Sequence, residues 1–508
     1  MNRAWLGIDV GTTGVRAAVV TEAGRTVAEA AEPCPADTRV SGRAEADPEA
    51  WWVAIRTVLG RIGSRTPLRD IEGIGVVGQA PTAVLVDANA RPVRPAILWL
   101  DARADTEARA IESRLGPGVA EAIGGNRSHA YFLGPKLAWL RTHEPRALEG
   151  AALIVPSHTF IVLRLTGEAA CDASTAMLCA PLFDAHAREW SAPGAKAVGV
   201  DLAQLPRIAP AHAVVGRVTR ETGELLGLRE GTPVVAGGGD FAAAALGSGV
   251  IEEGQVGLML GTAGNLLLPM ASPHFDTRLI QSHHVGVERW LALGGTLCGA
   301  ALEWFRETCA SGADWETLES EVARLDDPAS DLMVLPYFQG ERTPIWNAKA
   351  RAVIFGADLT HGRAQLYRAL LEGIALGFKH AARVAEEGGI RLGEVVATNG
   401  AGRSGVLRQI LCDALGAPLA WADDAGGTVR GAAALAALGT GLGPDGAARR
   451  SWFRRSEGAA PVRHVPQPRS QERLERLFAR RLSLYGALES EFARERGEPA
   501  AGKSSPVA

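Results

Sequence analysis

The feature that most constrains the fold of this chain is a repeated octapeptide. Residues 7–14 read GIDVGTTG, and residues 257–264 read GLMLGTAG, about half of the 508-residue chain later. Each copy is followed by apolar residues, which predicts two strands joined by a tight Gly-Thr turn. Because a repeat at this separation indicates one unit used twice, the sequence predicts two similar domains that each begin with the same hairpin.

The length of the chain supports the same division. A chain of 508 residues is longer than the size at which a single hydrophobic core stops growing. We therefore expect an N-terminal domain over residues 1–250, a C-terminal domain over residues 251–495 and a disordered tail over residues 496–508.

Local patterns predict the main elements of both domains. Strands are expected at 4–10, 15–21 and 24–32, and a buried strand ends at Gln79. Asp47 is expected to cap a helix whose apolar face carries Trp51, Trp52 and Ile55. Helical spacing of apolar residues predicts three helices in the second domain, over 363–387, 405–415 and 470–497.

Composition and charge exclude several classes of function. The 53 basic and 57 acidic residues give a net charge of -4, so there is no basic excess to neutralise nucleic acid or a membrane surface. The chain has no apolar run of the roughly 18 residues that a membrane helix needs, and it begins with a strand. We therefore expect a cytoplasmic enzyme. The six cysteines are scattered and are interpreted as reduced core residues.

The two Gly-Thr turns have the composition of anion-binding sites. Backbone N–H groups of a glycine-rich turn can surround an anion, and threonine hydroxyls add further donors. Two such turns across a cleft would hold a polyphosphate, although either turn alone is also ordinary hairpin chemistry. The first copy carries Asp9 where the second has Met259, so a Mg²⁺ site is predicted in the first hairpin only.

A second informative segment is GGGD at residues 237–240. An apolar strand ends in three glycines, and Asp240 then begins an alanine-rich helix. Aspartate is a common helix cap, but a plain cap does not need three glycines. A run of glycines would let a substrate lie against the backbone beside the carboxylate, so Asp240 is predicted to be a general base for a hydroxyl.

Taken together, these segments resemble the successive motifs of the FGGY carbohydrate kinases, over residues 1 to about 440. The motifs occur in family order as GIDVGTTGVR, GGGDFAAAALGSG, GLMLGTAG, GERTPIWNAKARAVIFG, LYRALLEGIAL and NGAGRSGVLRQILCDALGAPL. The resemblance implies an α/β fold of two ribonuclease H-like domains, as in the actin, hexokinase and Hsp70 superfamily, around a cleft for ATP and sugar.

The resemblance also assigns roles residue by residue. It implies ATP and Mg²⁺ as cofactors, with Asp9 positioning the metal through water and Asp240 accepting the proton of the sugar hydroxyl. The residues implied to face the phosphates and the nucleotide are Gly11, Thr12, Thr13, Arg16, Gly261, Thr262, Gly400, Ala401, Gly402 and Ser404.

The sugar is expected on the first domain. The positions implied to contact it are Gln79, Ala80, Pro81, Asp101, Arg103, Asp240 and Phe241. Xylulokinase-like members usually carry Met and His at the positions of Ala80 and Pro81, and Asn at that of Phe241. Asp101 and Arg103 could equally form a structural ion pair, and His129 and Tyr131 could contact the sugar or be structural.

The expected activity is therefore transfer of the ATP γ-phosphate to a hydroxyl of a small sugar, foremost a pentulose of the xylulose or ribulose type. Two alternatives stay open, a kinase of another polyol or sugar acid and a non-catalytic actin-like ATP-binding protein. Retention of both Asp9 and Asp240 favours the kinase. The resemblance also raises a homodimer, although the sequence reveals no interface.

Overall fold

The computed structural model consists of two seven-stranded sheets with helices packed against them. It describes residues 3–40, 42–325, 331–398, 400–421, 426–441, 452 and 462–494. The tail predicted over residues 496–508 lies outside the described residues. We refer to the chain up to residue 250 as the first half and to the remainder as the second half. The pair of α/β units is the predicted fold class.

The first sheet is built around the hairpin that opens the chain. Its strands, in spatial order, are Val214–Arg217, Pro233–Val235, Ile74–Gly78, Ala4–Val10, Gly14–Thr21 and Thr26–Pro33, and Gly238–Gly239 also pairs with Ile74–Gly78. The opening strands run antiparallel from Ala4 opposite Thr21 to Val10 opposite Val15. The predicted strands of the first domain are confirmed to within two residues.

The second sheet repeats this plan. Its strands, in spatial order, are Ile280–His283, Trp290–Leu297, Ala263–Met270, Val256–Leu260, Val395–Thr398, Leu419–Trp421 and Val462–His464. The two strands of the second octapeptide pair antiparallel, with Met259 opposite Asn265. The predicted second hairpin is therefore confirmed.

Helices and short strand pairs complete the first half. The helix Pro48–Gly63 begins as predicted, because the Asp47 side chain accepts the Glu49 N–H, and it buries Trp51, Trp52 and Ile55. The other helices are Asp105–Leu115, Val119–Gly124, Leu133–His143, Pro145–Glu149, Ser157–Thr166, Ala173–Met177, Ala192–Val198, Arg220–Leu226 and Asp240–Gly247, with 3₁₀ turns at Leu68–Asp70 and Leu202–Gln204. The short pairs are Glu45–Ala46 with Ala96–Ile97, Val84–Val86 with Leu153–Val155, Ala170–Cys171 with Arg207–Ile208, and Phe183–Asp184 with Glu189–Trp190.

The helices of the second half include the three that were predicted. The described helices of the second half are Gly299–Thr308, Trp315–Ala323, Arg363–Glu387, Gly405–Leu415, Gly427–Thr440 and Pro468–Ala493. A 3₁₀ turn at Gly400–Arg403 and a strand pair of Met333–Leu335 with Val353–Phe355 accompany them. Leu474, Leu477 and Phe478 of the last helix are buried in the core of the second half, as its amphipathic pattern indicated.

One helix from the second half packs against the first sheet. The helix Gly427–Thr440 shares a core with Asp240–Gly247 and lies across the strands Ala4–Val10 and Ile74–Gly78. The approach is so close that a Cβ atom on Gly7 would lie 2.0 Å from the Val429 carbonyl oxygen. Packing therefore explains the first glycine of the opening motif, and the two halves share part of one core.

Two further expectations can be compared with the structure. Within the described ranges, no helix combines the length and the apolar character needed to cross a membrane. All six cysteines are unpaired. Four of them are buried, but Cys34 is half-buried and Cys309 is exposed, so the prediction of core cysteines is wrong for Cys309.

Candidate active site

Adjacent parallel strands of the first sheet bring Asp9, Gln79 and Asp240 to one edge. Ala4–Val10 runs parallel to Ile74–Gly78, with Asp9 opposite Val77. The two-residue strand that precedes Asp240 pairs in parallel with the same central strand. Because ligands of open α/β sheets bind beyond the carboxyl ends of parallel strands, this edge is the candidate active site.

Asp9 is a carboxylate with an unsatisfied oxygen. It lies opposite Arg16 in the hairpin. Its Oδ1 atom is buried and accepts no hydrogen bond from the described residues. Burial raises the pKa of Asp9 to about 7, against the opposing effect of the Arg16 charge. A buried carboxylate in this condition is stabilised by a cation, so Asp9 fits the predicted Mg²⁺ site.

Asp240 is the first residue of the helix Asp240–Gly247. The residue in the cap position is Gly239, and the carboxylate of Asp240 accepts the Phe241 N–H at 2.7 Å instead of capping the helix. Burial and the nearby charge of Asp9 raise the pKa of Asp240 to about 8. The two carboxyl groups are therefore near enough to interact electrostatically, and Gly239, not Asp240, occupies the cap position of the helix.

The three glycines before Asp240 have a packing reason besides the one expected. Gly237 has a φ of +78°, and a Cβ atom there would lie 1.8 Å from the Val76 carbonyl oxygen. A Cβ on Gly239 would lie 2.5 Å from the Phe241 ring. The protein itself fills the space where these side chains would lie, so close packing is a sufficient reason for the glycines, and contact of a substrate with this backbone stays a prediction.

Gln79 braces the first Gly-Thr turn. Its Nε2 donates to the Gly11 carbonyl at 3.3 Å, and its Oε1 accepts the Thr12 hydroxyl at 3.2 Å. The Trp99 indole donates to the same Thr12 oxygen at 2.9 Å. Thr13 is an exposed residue. Its backbone carbonyl accepts the Cys34 N–H. Gln79 therefore supports the turn, in addition to any contact that it makes with a sugar.

The wall predicted to hold the sugar is largely apolar. Ala80, Pro81 and Phe241 are all buried. The Tyr131 hydroxyl donates to the Ala80 carbonyl at 3.4 Å, and the nearby Asp240 charge adds to the burial that raises the pKa of Tyr131 to about 12. The Nδ1 of His129 accepts the Tyr131 N–H at 3.1 Å. Tyr131 thus faces Asp240, whereas His129 supports it.

Asp101 and Arg103 form a buried ion pair. Arg103 donates to both carboxylate oxygens of Asp101, at 2.6 to 3.0 Å, and Asp101 also accepts the Ala44 N–H at 2.7 Å. Arg103 further pairs with Glu45 at 2.8 Å and lies over the Trp139 ring. Both oxygens of Asp101 are occupied by protein groups, which is the structural alternative raised from the sequence.

The second half supplies two residues that sequence reasoning missed. The Arg342 guanidinium lies over the rings of Trp99 and Tyr131, at 4.8 and 5.1 Å from their centroids. The ring of Trp346 lies 4.7 Å from that of His129. Both residues belong to the segment GERTPIWN, which resembles a family motif. Apart from its place in a family motif, the segment gives no sequence signal for these two side chains.

The residues predicted to contact the nucleotide lie at the corresponding edge of the second sheet. Val256–Leu260 and Val395–Thr398 run parallel, so the turn at 261–262 and the loop at 400–404 leave the sheet side by side. Within the described part of the chain, no hydrogen bond joins Gly261 or Thr262 to the Asp9 and Asp240 cluster. The predicted residues thus form two groups, one on each sheet.

Backbone hydrogen bonds hold the second Gly-Thr turn in place. The carbonyls of Gly261 and Thr262 accept the N–H groups of Gly299 and Cys298, at the start of the helix Gly299–Thr308. The turn is therefore held against a helix N-terminus, where the backbone dipoles favour an anion.

The loop that includes Gly400 and Ala401 leads into a capped helix. Ser404 caps Gly405–Leu415 by accepting the Leu407 N–H at 2.9 Å, and its hydroxyl donates to Glu319 at 2.5 Å. A Cβ atom on Gly402 would lie 2.7 Å from the Trp421 indole nitrogen. The Ser404 hydroxyl is therefore engaged by the protein.

Asp9 and Asp240 suit a metal ion that takes most of its ligands from water and from substrate phosphates. In the described ranges, no group of three or more His, Cys, Asp or Glu residues is arranged to hold an ion. Mg²⁺ in phosphoryl-transfer enzymes is commonly held by one or two carboxylates, with water and substrate phosphates completing its shell. Asp9 and Asp240 together match that donor set.

Comparison with protein families agrees with this geometry. The N-terminal domain of the FGGY family of carbohydrate kinases matches residues 4–247, and the C-terminal domain of the same family matches residues 258–440. Together the two matches cover most of the chain and place Asp9 and Asp240 in the first and Gly261 in the second.

Individual proteins are similar over most of their length. A xylulose kinase from Escherichia coli is 32% identical over 420 residues, which are 82% of this chain and 85% of that protein. The crystal structure of xylulose kinase from Rhodospirillum rubrum is 30% identical, with a TM-score of 0.87, covering 97% of this chain and 100% of that one. A xylulose kinase structure from Brucella ovis is 27% identical, with a TM-score of 0.87, covering 96% and 100%.

Proposed function

The chain belongs to the FGGY family of carbohydrate kinases and is an ATP-dependent sugar kinase, and within that family we propose that its acceptor is a pentulose of the xylulose or ribulose type. The proposal includes Asp240 as general base and Mg²⁺ near Asp9. The observation that carries the mechanism is the pair of half-buried carboxyl groups at the edge of the first sheet, where burial and then the charge of Asp9 raise the pKa of Asp240.

Asp240 is suited to the work of a general base. A base must lie within hydrogen-bond reach of the hydroxyl whose proton it accepts. One oxygen of Asp240 accepts the Phe241 N–H, which fixes the carboxylate at the start of its helix and leaves the other oxygen for the acceptor. A raised pKa makes this carboxylate a stronger base than an ordinary aspartate.

The phosphates would lie between the two edges. In this proposal the turn of Gly11, Thr12 and Thr13, together with Arg16, holds the transferred phosphate. The nucleotide is held by Gly261, Thr262, Gly400, Ala401, Gly402 and Ser404. Mg²⁺ would be held beside Asp9 and, when bound, would neutralise charge on the phosphates. Phosphoryl transfer depends mainly on such positioning and charge neutralisation.

The acceptor wall gives one observation in favour of a second candidate. Phe241 is only 5% exposed and Ala80 only 6%, and neither side chain can hydrogen-bond a hydroxyl. A wall of this kind discriminates weakly among polyols that differ in their hydroxyls. A kinase of another polyol or sugar acid is therefore the second candidate. The non-catalytic alternative has no support, because the chain belongs to a family of kinases.

The identity of the acceptor is tested by ADP release. The enzyme is assayed with Mg-ATP against pentuloses, pentitols, tetritols, hexuloses, glycerol and gluconate, with Asp240→Asn as the blank. We expect a pentulose to give the largest stimulation above that blank. A larger stimulation by a sugar alcohol or a sugar acid would replace the pentulose proposal with the second candidate.

Three further expectations remain proposals. The division of the chain at residue 250 is one, and a cytoplasmic location is another. The third is a homodimer, which would be tested by light scattering of the purified protein at micromolar concentration.

A further inference from the structure

We propose that Arg342 binds oxygen atoms of the acceptor sugar, so that the acceptor site is completed by the second half of the chain. This inference rests on the proposed function, because it takes the edge of the first sheet as the acceptor site. It concerns an arginine whose neighbours differ from those of Arg103, the arginine already described beside the predicted sugar wall.

The position of Arg342 places a cation at the acceptor wall. Its guanidinium lies over the rings of both Trp99 and Tyr131, at 4.8 and 5.1 Å from the two ring centroids. The Trp99 indole also donates a hydrogen bond to Thr12 of the first Gly-Thr turn. The charge of Asp240 contributes to the raised pKa of Tyr131. Arg342 therefore stands beside the groups that would surround an acceptor.

The hydrogen-bonding capacity of Arg342 is largely unused. In the part of the chain that the structure describes, no ion pair involves Arg342, and the contacts of its guanidinium are with the rings of Trp99 and Tyr131. Arg103, by contrast, has both Asp101 and Glu45 as partners. A guanidinium carries five N–H donors and no acceptor. Because Arg342 is only half-buried, its remaining donors can reach the hydroxyl or carbonyl oxygens of a bound sugar.

The backbone on either side of Arg342 is fixed from within. The buried Glu341 side chain accepts the Arg342 N–H at 3.0 Å and the Thr296 hydroxyl at 2.8 Å. The buried Thr343 hydroxyl accepts the Gly295 N–H at 2.7 Å. Arg342 is thus projected from a rigid platform on the second sheet, which is the support that a binding residue needs.

Trp346 gives independent support for a ligand site at this loop. Its φ is +53°, which is rare for a bulky residue and is concentrated at functional sites. Its indole donates to the Arg278 carbonyl at 3.0 Å, and Arg127 lies over its ring at 5.3 Å. These contacts hold the ring against His129 of the first half. We assign Trp346 as a positioning residue for the acceptor wall.

The test compares Arg342→Met and Arg342→Lys with Arg306→Met. Arg306 also lies over a tryptophan, Trp315, and is paired with Glu303 on its own helix, so its loss controls for removing a stacked arginine. Each protein is assayed for ADP release with the acceptor that stimulates the wild type most. Midpoints of thermal unfolding within about 2 °C of the wild type show that a variant is folded.

We expect Arg342→Met to raise the KM for the acceptor by at least about ten-fold, since hydrogen bonds to a charged group are lost. The KM for Mg-ATP should stay within about two-fold. Arg342→Lys should fall between Met and the wild type, because it keeps the charge but loses the planar fork. Arg306→Met should match the wild type in both constants.

Other results would overturn the inference. Equal rises in both KM values would assign Arg342 to the nucleotide or to the closed shape of the cleft. An acceptor KM within two-fold of the wild type would leave Arg342 with a stacking role only. A wild type that no acceptor stimulates would remove the proposed function first, and with it the basis for this role of Arg342.

Discussion

The carboxyl groups of Asp9 and Asp240 lie close enough that the charge of one raises the pKa of the other, although 230 residues separate them in the chain. Adjacent parallel strands deliver both to the same edge of the first sheet. Two like charges with little solvent are unfavourable unless a cation joins them. The arrangement therefore makes specific predictions about metal dependence and about the effect of pH.

The first prediction concerns Asp9 and the metal. Asp9→Ala should raise the Mg²⁺ concentration needed for half-maximal activity by about ten-fold or more, because it removes the carboxylate whose Oδ1 accepts no hydrogen bond from the described residues. The measurement is a Mg²⁺ titration of ADP release at saturating ATP and acceptor. Asp70→Ala, at an exposed aspartate, is the matched control. An unchanged titration for Asp9→Ala would remove Asp9 from the metal site.

The second prediction concerns the stability of the metal-free protein. The pKa of Asp240 is raised from its ordinary value of 3.8 to about 8 in the folded chain. At a pH between those two pKa values, the unfolded chain binds fewer protons at this carboxyl group than the folded chain does. The free energy of unfolding therefore falls as the pH rises from the lower value to the higher one. Asp240→Asn removes the effect. Its midpoint of thermal unfolding, relative to wild type, should therefore increase from pH 5 to pH 8 by a few degrees.

This second measurement is made with EDTA and without nucleotide, so that no cation offsets the charges. Functional sites commonly contain groups that lower the stability of the folded protein. A carboxylate at Asp240 that lowers the midpoint of unfolding would therefore agree with its proposed role. A difference in midpoint that stays constant or becomes smaller at pH 8 would contradict the raised pKa.

The third prediction concerns the apolar acceptor wall. Phe241→Asn places an amide beside Asp240, where the ring now packs on Gly239. An added hydrogen-bonding group should favour acceptors rich in hydroxyls and carbonyls. We expect the kcat/KM for xylulose, relative to that for erythritol, to rise about ten-fold. Phe241→Leu is the matched control, and an equal change in both variants would show that ring size alone matters.

The fourth prediction concerns a buried lysine behind the wall. Lys136 is 0% exposed, and its ammonium donates to the carbonyls of Ala130 and Tyr131 at 2.9 and 2.5 Å. Lys136→Met leaves both carbonyls without their donor, which should lower the free energy of unfolding by about 2–4 kcal/mol. It should also raise the acceptor KM, because Tyr131 loses its support.

Chemical denaturation measures the first effect of this variant and acceptor titration the second. Lys196→Met, at an exposed lysine, should change the free energy of unfolding by less than about 0.5 kcal/mol. A stable Lys136→Met protein with an unchanged acceptor KM would show that Tyr131 is positioned by other contacts.

The fold was largely predictable because its signals are local or repeated. The hairpins follow from two copies of one octapeptide, and the helix Arg363–Glu387 from the spacing of its apolar residues. The packing of Gly427–Thr440 on the first sheet was not predictable, since nothing in its composition tells which sheet it covers. A contact across hundreds of residues depends on tertiary packing that a linear pattern does not record.

The residues of the candidate site were predictable where the sequence shows a carboxylate beside a recognisable strand. Asp9 lies near the end of one strand and Asp240 directly follows another, and both strands pair in parallel with Ile74–Gly78, so their meeting follows from the topology of the sheet. Arg342 was missed because its role depends on which rings it meets in the folded chain. The glycines before Asp240 were assigned to substrate access, whereas contacts such as that of Gly237 with Val76 are sufficient to explain them.

The measurement that tests the account most directly is phosphoryl transfer by Asp240→Asn. The variant is compared with wild type for acceptor-stimulated ADP release and, separately, for ATP binding by calorimetry. If Asp240 is the general base, transfer should fall by more than about 100-fold while the affinity for ATP stays within a few-fold. Transfer at a substantial fraction of the wild-type rate would contradict the central claim, because the proton of the acceptor would then leave without Asp240.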